Sequence, residues 1–369
     1  MYKIFSTFTG GGGLDIGFHG DFYFLDKYFP RLKFETKIAI DINKDACETI
    51  KFNKKYFPNT EVINADITKL NPEDFKGEEY DVLLGGFPCV TFSIVGKRAG
   101  IKDDKNGKLY ESFARFVEVL KPKVFVAENV KGILSANKGE AIKIIKNRFE
   151  MDGYKLKIFL VNFADFGVPQ IRERVLFIGI REDLNTEFIP PRKTHSKENW
   201  IPVKKAFENI PKDCPNNNFM KVSKDVIERL KLIPEGGNFE AVKGTKYEVK
   251  GLMSNIYRKL HREKPAYTVI ASGGGGTWGY HYEEPRPLTN RERARLQGFP
   301  DDFIFIGNNT EVRRQIGNAV SPVGIYPFAK RIQDLLDGKM PCKSESDIEE
   351  YIIKNKNLSS SLFKCENIF

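Results

Sequence analysis

The sequence predicts an α/β fold: a mainly parallel sheet covered by helices on both faces, joined to a smaller irregular lobe. Short apolar runs alternate with longer amphipathic stretches through the first half, and a glycine-rich turn follows the first of these runs. After Arg181 the periodicity breaks on prolines and asparagines and does not resume until about Pro285. At 369 residues the chain is also longer than one compact core usually accommodates, so two lobes with a cleft between them are expected.

The predicted strands are Ile4 to Phe8, Thr36 to Ile40, Glu61 to Ile63, Tyr80 to Leu84 and Val124 to Ala127, each short and separated from the next by a helical pattern. In such a sheet ligands bind at the carboxyl ends of the strands. The runs Lys155 to Leu160 and Val175 to Ile180 would add a closing pair of strands. Pro190-Pro191, Pro202, Pro211, Pro215 and the Asn216-Asn217-Asn218 cluster mark the irregular lobe, beyond which Leu288 to Gln297 and Ile325 to Leu336 read as helices. The boundaries expected are 1–181, 182–284, 285–340 and a polar appendage over 341–369.

Lys and Arg total 59 against 49 Asp and Glu, a net charge of +10 that favours polyanionic partners such as nucleic acid but equally fits plain solubility. Cys47, Cys89, Cys214, Cys342 and Cys365 are scattered, with no Cys-x-x-Cys pair, so no metal site is expected and a reducing, cytoplasmic setting fits best. No apolar stretch is long enough to span a bilayer, and no membrane association is expected.

The turn Phe8-Thr9-Gly10-Gly11-Gly12-Gly13-Leu14-Asp15 lets backbone approach a ligand closely. Its order is not Gly-x-Gly-x-x-Gly, which counts against a nicotinamide. Asp41, in Ala39-Ile40-Asp41-Ile42, stands where a ribose diol would meet a carboxylate, and Asp66-Ile67 follows the third strand, where an amino group could be received. Taken singly, either aspartate is more often a helix cap or turn residue. Their placement after consecutive strands favours the ligand reading.

Gly85-Gly86-Phe87-Pro88-Cys89-Val90-Thr91-Phe92-Ser93 follows the fourth strand, placing Cys89 on a loop at the ligand edge, outside any apolar periodicity. Glycines at 96, 100 and 107 give that loop freedom to close. Glu128, in Ala127-Glu128-Asn129-Val130, ends an apolar strand, where a carboxyl needs a partner or a raised pKa. In Gln170-Ile171-Arg172-Glu173-Arg174, alternation puts Gln170, Arg172 and Arg174 on one face.

These blocks in this order resemble the DNA (cytosine-5) methyltransferases, here of the bacterial type II restriction-modification kind. Two further blocks carry the resemblance: the stretch from Arg286-Pro287-Leu288-Thr289 to Gln297-Gly298-Phe299-Pro300, and Gln315-Ile316-Gly317-Asn318-Ala319-Val320-Ser321-Pro322. The resemblance implies a Rossmann-like catalytic domain that binds S-adenosyl-L-methionine through Phe8, Thr9, Gly10, Gly12, Gly13, Leu14, Asp41, Ile42, Asp66, Ile67, Pro88, Asn318, Ala319 and Val320. It implies Cys89 as the nucleophile, Glu128 on ring nitrogen 3 of a flipped-out cytosine, Arg174 on its carbonyl, and Arg172 steadying the closed loop. The lobe over 182–284 would be the target-recognition domain. Ser93, Lys97, Arg98, Gln170, Arg258, Thr268, Gly273 and Gly274 would contact double-stranded DNA. A monomer, with a separate cognate restriction endonuclease, is the expected assembly.

One departure is Val90, where many members of the family carry glutamine, so a base-replacement role is not carried over to that position. RNA cytosine methylation is the alternative substrate reading, against which the long variable lobe argues. A catalytically silent nucleic-acid-binding protein of the same fold is the alternative class, against which Cys89, Glu128, Arg172 and Arg174 argue together.

Overall fold

Seven strands build the central sheet of the computed structural model, which describes residues 1–88, 108–150, 153–249, 256–271 and 278–340. They are β1 (Tyr2–Thr7), β4 (Phe34–Asp41), β5 (Glu61–Asn64), β6 (Val82–Gly85), β7 (Val124–Val130), β8 (Tyr154–Asn162) and β9 (Glu173–Arg181), in the spatial order β5-β4-β1-β6-β7-β9-β8. A separate hairpin, β2 (Phe22–Phe24) with β3 (Lys27–Phe29), lies between β1 and β4 in sequence. The first five sheet strands pair parallel, whereas β9 runs against both β7 and β8. The cause is connection length: helices bridge the parallel strands, but only about ten residues join β8 to β9, which suffices for a reversal and not for a crossover.

Alternation along each strand divides the core between the two faces. Ile4, Val82, Val124 and Leu176 pack on one side beneath α1 (Gly13–His19) and α9 (Pro322–Leu336). Phe5, Leu83, Phe125 and Phe177 pack on the other, against α3 (Lys108–Leu120) and α4 (Glu140–Glu150). Helix α2 (Lys44–Phe52) follows β4, capped by the Asn43 side chain. Gly17 permits the close approach of α9, because a β-carbon there would stand 2.2 Å from Ile325 Cγ2. The far end of α9 returns to the first strand, where the Tyr2 hydroxyl donates to Asp337 Oδ1 at 2.8 Å.

The irregular segment carries α5 (Val203–Phe207), α6 (Lys224–Leu232) and the short strands β10 (Arg258–Lys259) and β11 (Trp278–Tyr280). It has a small core of its own, formed by Leu230, Ile233, Phe239, Val242, Tyr257 and Tyr280. The chain then enters α7 (Asn290–Leu296) through a capping box in which Thr289 and Glu292 satisfy each other's backbone N–H. Every residue of α7 is buried, its arginines included. Arg291 donates to the carbonyls of Pro215, Pro300 and Phe303, and Arg295 to those of Ala206 and Glu208 and to Asp301. These bonds tie the irregular segment to the return segment. Helix α8 (Asn309–Asn318) precedes α9, and no helix among the described residues is long and apolar enough to cross a membrane.

Candidate active site

The carboxyl ends of β1, β4, β6 and β7 and the amino end of β9 meet at one edge of the sheet, as their registers require. Strand β6 delivers Gly85-Gly86-Phe87-Pro88 to this edge, with Pro88 exposed. Cys89, Ser93, Lys97 and Arg98 lie outside the described residues, as do Gly273 and Gly274. The stub that leads to Cys89 is nonetheless fixed: buried Asn129 donates through Nδ2 to the Phe87 carbonyl at 3.0 Å, while its Oδ1 accepts from the Val130 N–H. Asn129 was not among the residues singled out by sequence. Its position beside Glu128 in the strand-ending motif was the available signal.

Glu128 is 7% exposed and pairs with Arg174, whose Nε lies 2.8 Å from Glu128 Oε1. Register accounts for this contact, since β7 and β9 place the two residues on neighbouring antiparallel strands at the sheet edge. Burial pushes the Glu128 carboxyl upward, opposed by the charges of Arg174 and Arg172. Gly86 adjoins it, because a β-carbon there would lie 3.5 Å from Glu128 Oε2.

Arg172 differs from Arg174. It is 1% exposed and its guanidinium donates to backbone: Nη1 to the Val269 carbonyl at 3.1 Å, and Nη2 to those of Gly317 and Ala319 at 2.9 Å each. Burial lowers its pKa strongly. Its observed contacts join β9 to the segment after residue 266 and to the end of α8.

Gln170 corrects the sequence expectation of a DNA contact. It is fully buried; its Nε2 donates to the Leu296 carbonyl and to Gln297 Oε1, and its Oε1 accepts from the Val269 N–H at 2.7 Å. Alternation placed it correctly on the face of Arg172, but that part of the face is covered by α7. Gln297, which sequence reading did not single out, completes the knot by donating to the Ala319 carbonyl. Thr268 donates its hydroxyl to the Ile171 carbonyl at 2.8 Å, so it anchors the segment beside β9. Arg258 is partly exposed, its guanidinium 5.0 Å from the centre of the Tyr267 ring.

On the cofactor side, the Gly10 N–H donates to Asp41 Oδ2 at 2.7 Å and the Asn43 N–H to Asp41 Oδ1 at 2.8 Å. Asp41 thus braces the glycine turn against the end of β4. The Thr9 N–H donates to the Ile40 carbonyl, and Phe8 adopts a left-handed backbone, φ 51°. Gly12 (φ 75°) caps α1, and Gly13 allows α1 to press on the chain after α8, since a β-carbon there would stand 2.1 Å from the Val320 carbonyl oxygen. Asp66 accepts from the Thr68 N–H and hydroxyl as the cap of a 3-10 turn, which lowers its pKa. Leu14, Ile67, Ala319 and Val320 have buried side chains, whereas Asn318 is exposed. Ile42 is 71% exposed at the end of β4. An exposed apolar side chain and partly buried Phe8 flanking a carboxylate at a sheet edge fit an adenosyl group, whose ring needs apolar surface and whose ribose needs acceptors.

A family model for the C-5 cytosine-specific DNA methylases matches residues 2–334. The chain is 46% identical to the type II methyltransferase M.NgoFVII of Neisseria gonorrhoeae, covering 96% of this chain and 92% of that one. It is 43% identical to the type II methyltransferase M.BbvI of Brevibacillus brevis, covering 86% and 87%. Among solved structures, a prophage-encoded DNA modification methyltransferase of E. coli superposes with a TM-score of 0.70 at 25% identity, covering 91% of this chain and 100% of that one. The S. pombe Dnmt2 methyltransferase shares the fold, with a TM-score of 0.64 at 16% identity over 92% and 99% of the two chains.

Proposed function

Because the chain belongs to the C-5 cytosine-specific DNA methylase family and thus methylates carbon 5 of cytosine in DNA from S-adenosylmethionine, we propose that its active site is the sheet edge at Pro88, Glu128 and Arg174, with Cys89 as nucleophile. The buried Glu128–Arg174 pair beside the Pro88 stub carries this reading.

The target carbon lies inside the base stack of duplex DNA, so the cytosine must rotate out at a cost of a few kcal/mol. The Cys89 thiolate then forms a bond to carbon 6, and the displaced electron pair makes carbon 5 nucleophilic. Glu128, its pKa raised by burial, holds a proton at ring nitrogen 3 and so stabilises the electron-rich ring. Arg174 orients Glu128 and offers its remaining N–H groups to the cytosine carbonyl. The bound donor supplies an electrophilic methyl group. Loss of the carbon 5 proton and cleavage of the sulfur–carbon bond release the methylated base.

Phe8, Ile42 and Asp41 would hold the adenosyl part, with the turn at Thr9 to Gly13, Asp66, Ile67, Pro88 and Asn318 around it. The lobe over 182–284 is read as the target-recognition domain, with Arg258, Gly273 and Gly274 toward the major groove and Ser93, Lys97 and Arg98 in the closing loop. The names of the type II relatives support a restriction-modification role; the reading places the chain in the cytoplasm as a monomer, with a cognate endonuclease acting separately.

Duplex oligonucleotides carrying 5-fluorocytosine at the target test the reading, because fluorine cannot leave as a proton does. A covalent adduct is expected, mapping by mass spectrometry to the peptide containing Cys89 and absent in Cys89→Ser. An adduct on another residue overturns the assignment.

A further inference from the structure

Where β4 ends, the chain turns through Ile42, whose apolar side chain is 71% exposed. So little protein covers this side chain that packing cannot fix its direction. Its backbone has to do so, and the two halves of the turn are held very differently.

The Asp41 half is secured several times over. Its carbonyl accepts from the Ala65 N–H at 3.1 Å and from the Cys47 thiol at 3.4 Å, and its carboxylate accepts from the Gly10 and Asn43 N–H groups. The Ile42 carbonyl accepts one hydrogen bond among the described residues, from Asn64 Nδ2 at 3.0 Å. The same nitrogen donates to the Asp41 carbonyl, also at 3.0 Å. Both partners are carbonyls, which cannot donate, so the amide must present its nitrogen to the turn and not its oxygen. Register puts the amide in place: Asn64 ends β5 directly opposite Asp41, and its side chain reaches one residue beyond the pairing.

We infer that Asn64 is a positioning residue for the methyl donor: by spanning the Asp41 and Ile42 carbonyls it fixes Ile42 as the apolar surface on which the adenine ring lies. This rests on the reading of Asp41 and Ile42 as the adenosyl seat. The amide suits the task because its NH2 group carries two hydrogens, one for each carbonyl, whereas a serine hydroxyl has one and an ionised aspartate has none. Asn64 is itself exposed, so its bonds add little to folding, and their effect falls on a ligand that needs Ile42 in one place. Asp66, two residues further on, is engaged otherwise, with Oδ1 capping its own turn.

The test compares wild type with Asn64→Ala, Ile42→Ala and the double variant. S-adenosylhomocysteine is the probe for equilibrium binding, and S-adenosylmethionine is used in steady-state methylation of duplex DNA. Asn64→Ala should raise the Kd of S-adenosylhomocysteine about 3- to 10-fold, as expected for loss of one net hydrogen bond. The KM for S-adenosylmethionine should rise by the same factor, since the two share the adenosyl group, with kcat within about two-fold of wild type. In the Ile42→Ala background the same substitution should change Kd by less than about two-fold, because no side chain remains to be positioned. Donor affinity unchanged in Asn64→Ala, full additivity in the double variant, or a fall in kcat or melting temperature in place of the rise in KM overturns the inference. Ile42→Ala separates the two readings. If it binds S-adenosylhomocysteine as wild type does, the adenosyl seat lies elsewhere and the role of Asn64 falls with it. If it binds about ten-fold more weakly while Asn64→Ala does not, the seat stands and the positioning role alone is lost.

Discussion

Arg172 and Arg174 lie two residues apart at the start of β9, with side chains on the same face, and they have become different kinds of group. Arg174 reaches the edge of the sheet and meets a carboxylate at 2.8 Å. Arg172, just ahead of the strand, meets three backbone carbonyls from two distant segments. The first arrangement leaves a buried carboxyl, its pKa raised by burial, at a surface where a base can arrive. The second encloses a cation as a rivet, because guanidinium can satisfy several carbonyls at once in a fixed fork. What separates chemistry from architecture here is cover: Arg172 and Gln170 precede β9 and are closed over by the ends of α8 and α7, whereas Arg174 stands at the sheet edge.

That contrast can be broken or sharpened by substitution. Glu128→Gln removes the titratable group at the edge and should lower the single-turnover methylation rate by about 10² to 10⁴-fold, with donor binding retained. A smaller loss would show that the acid does not hold a proton on the ring. Arg172→Met should act instead on folding, costing about 3–5 kcal/mol in denaturant titrations because three buried carbonyls lose their donor. Stability unchanged within error would contradict the rivet.

Arg174→Ala lies between these extremes. The charge that lowers the Glu128 pKa is removed, so the acid should titrate at higher pH and the pH–rate profile should move in the same direction. A profile that stays in place separates Glu128 from the observed ionisation. The smallest effect is expected of Gln170→Ala, at about 1–3 kcal/mol of stability through the orphaned Val269 N–H, with the salt dependence of DNA binding unaltered. A weakened salt dependence would return Gln170 to the DNA interface.

The contrast also marks what the sequence could reveal. Strand positions were legible because short apolar runs of this kind have one stable home, a sheet covered on both faces. The reversed direction of β9 was not, since hydrophobic pattern carries no information on strand polarity. The hairpin β2–β3 escaped notice because Leu25 and Asp26 give no strong turn signal, and its stability comes from Phe22 stacked on Phe29 and from Tyr326, some 300 residues away.

Within the site, the strand-end placement of Glu128 and Asp41 was readable from periodicity. The capping role of Asp66 stood as the alternative, and its bond to the Thr68 N–H realises it. The burial of Arg291 and Arg295 was not readable, because arginine is ordinarily a surface residue and only the carbonyls facing it reveal otherwise.

The bond from Tyr2 to Asp337, reinforced where the Lys33 N–H donates to Gln333, brings the opening strand and the closing helix of the large lobe within a few ångströms. The start of β1 and the end of α9 therefore lie side by side, and continuity between them would leave the sheet and its covering helices unchanged. A gene rewired to join Asp337 to Tyr2 by a short linker, without residues 338–369, and to begin within the exposed stretch near Ser196 should yield the same melting transition as the chain ending at Asp337.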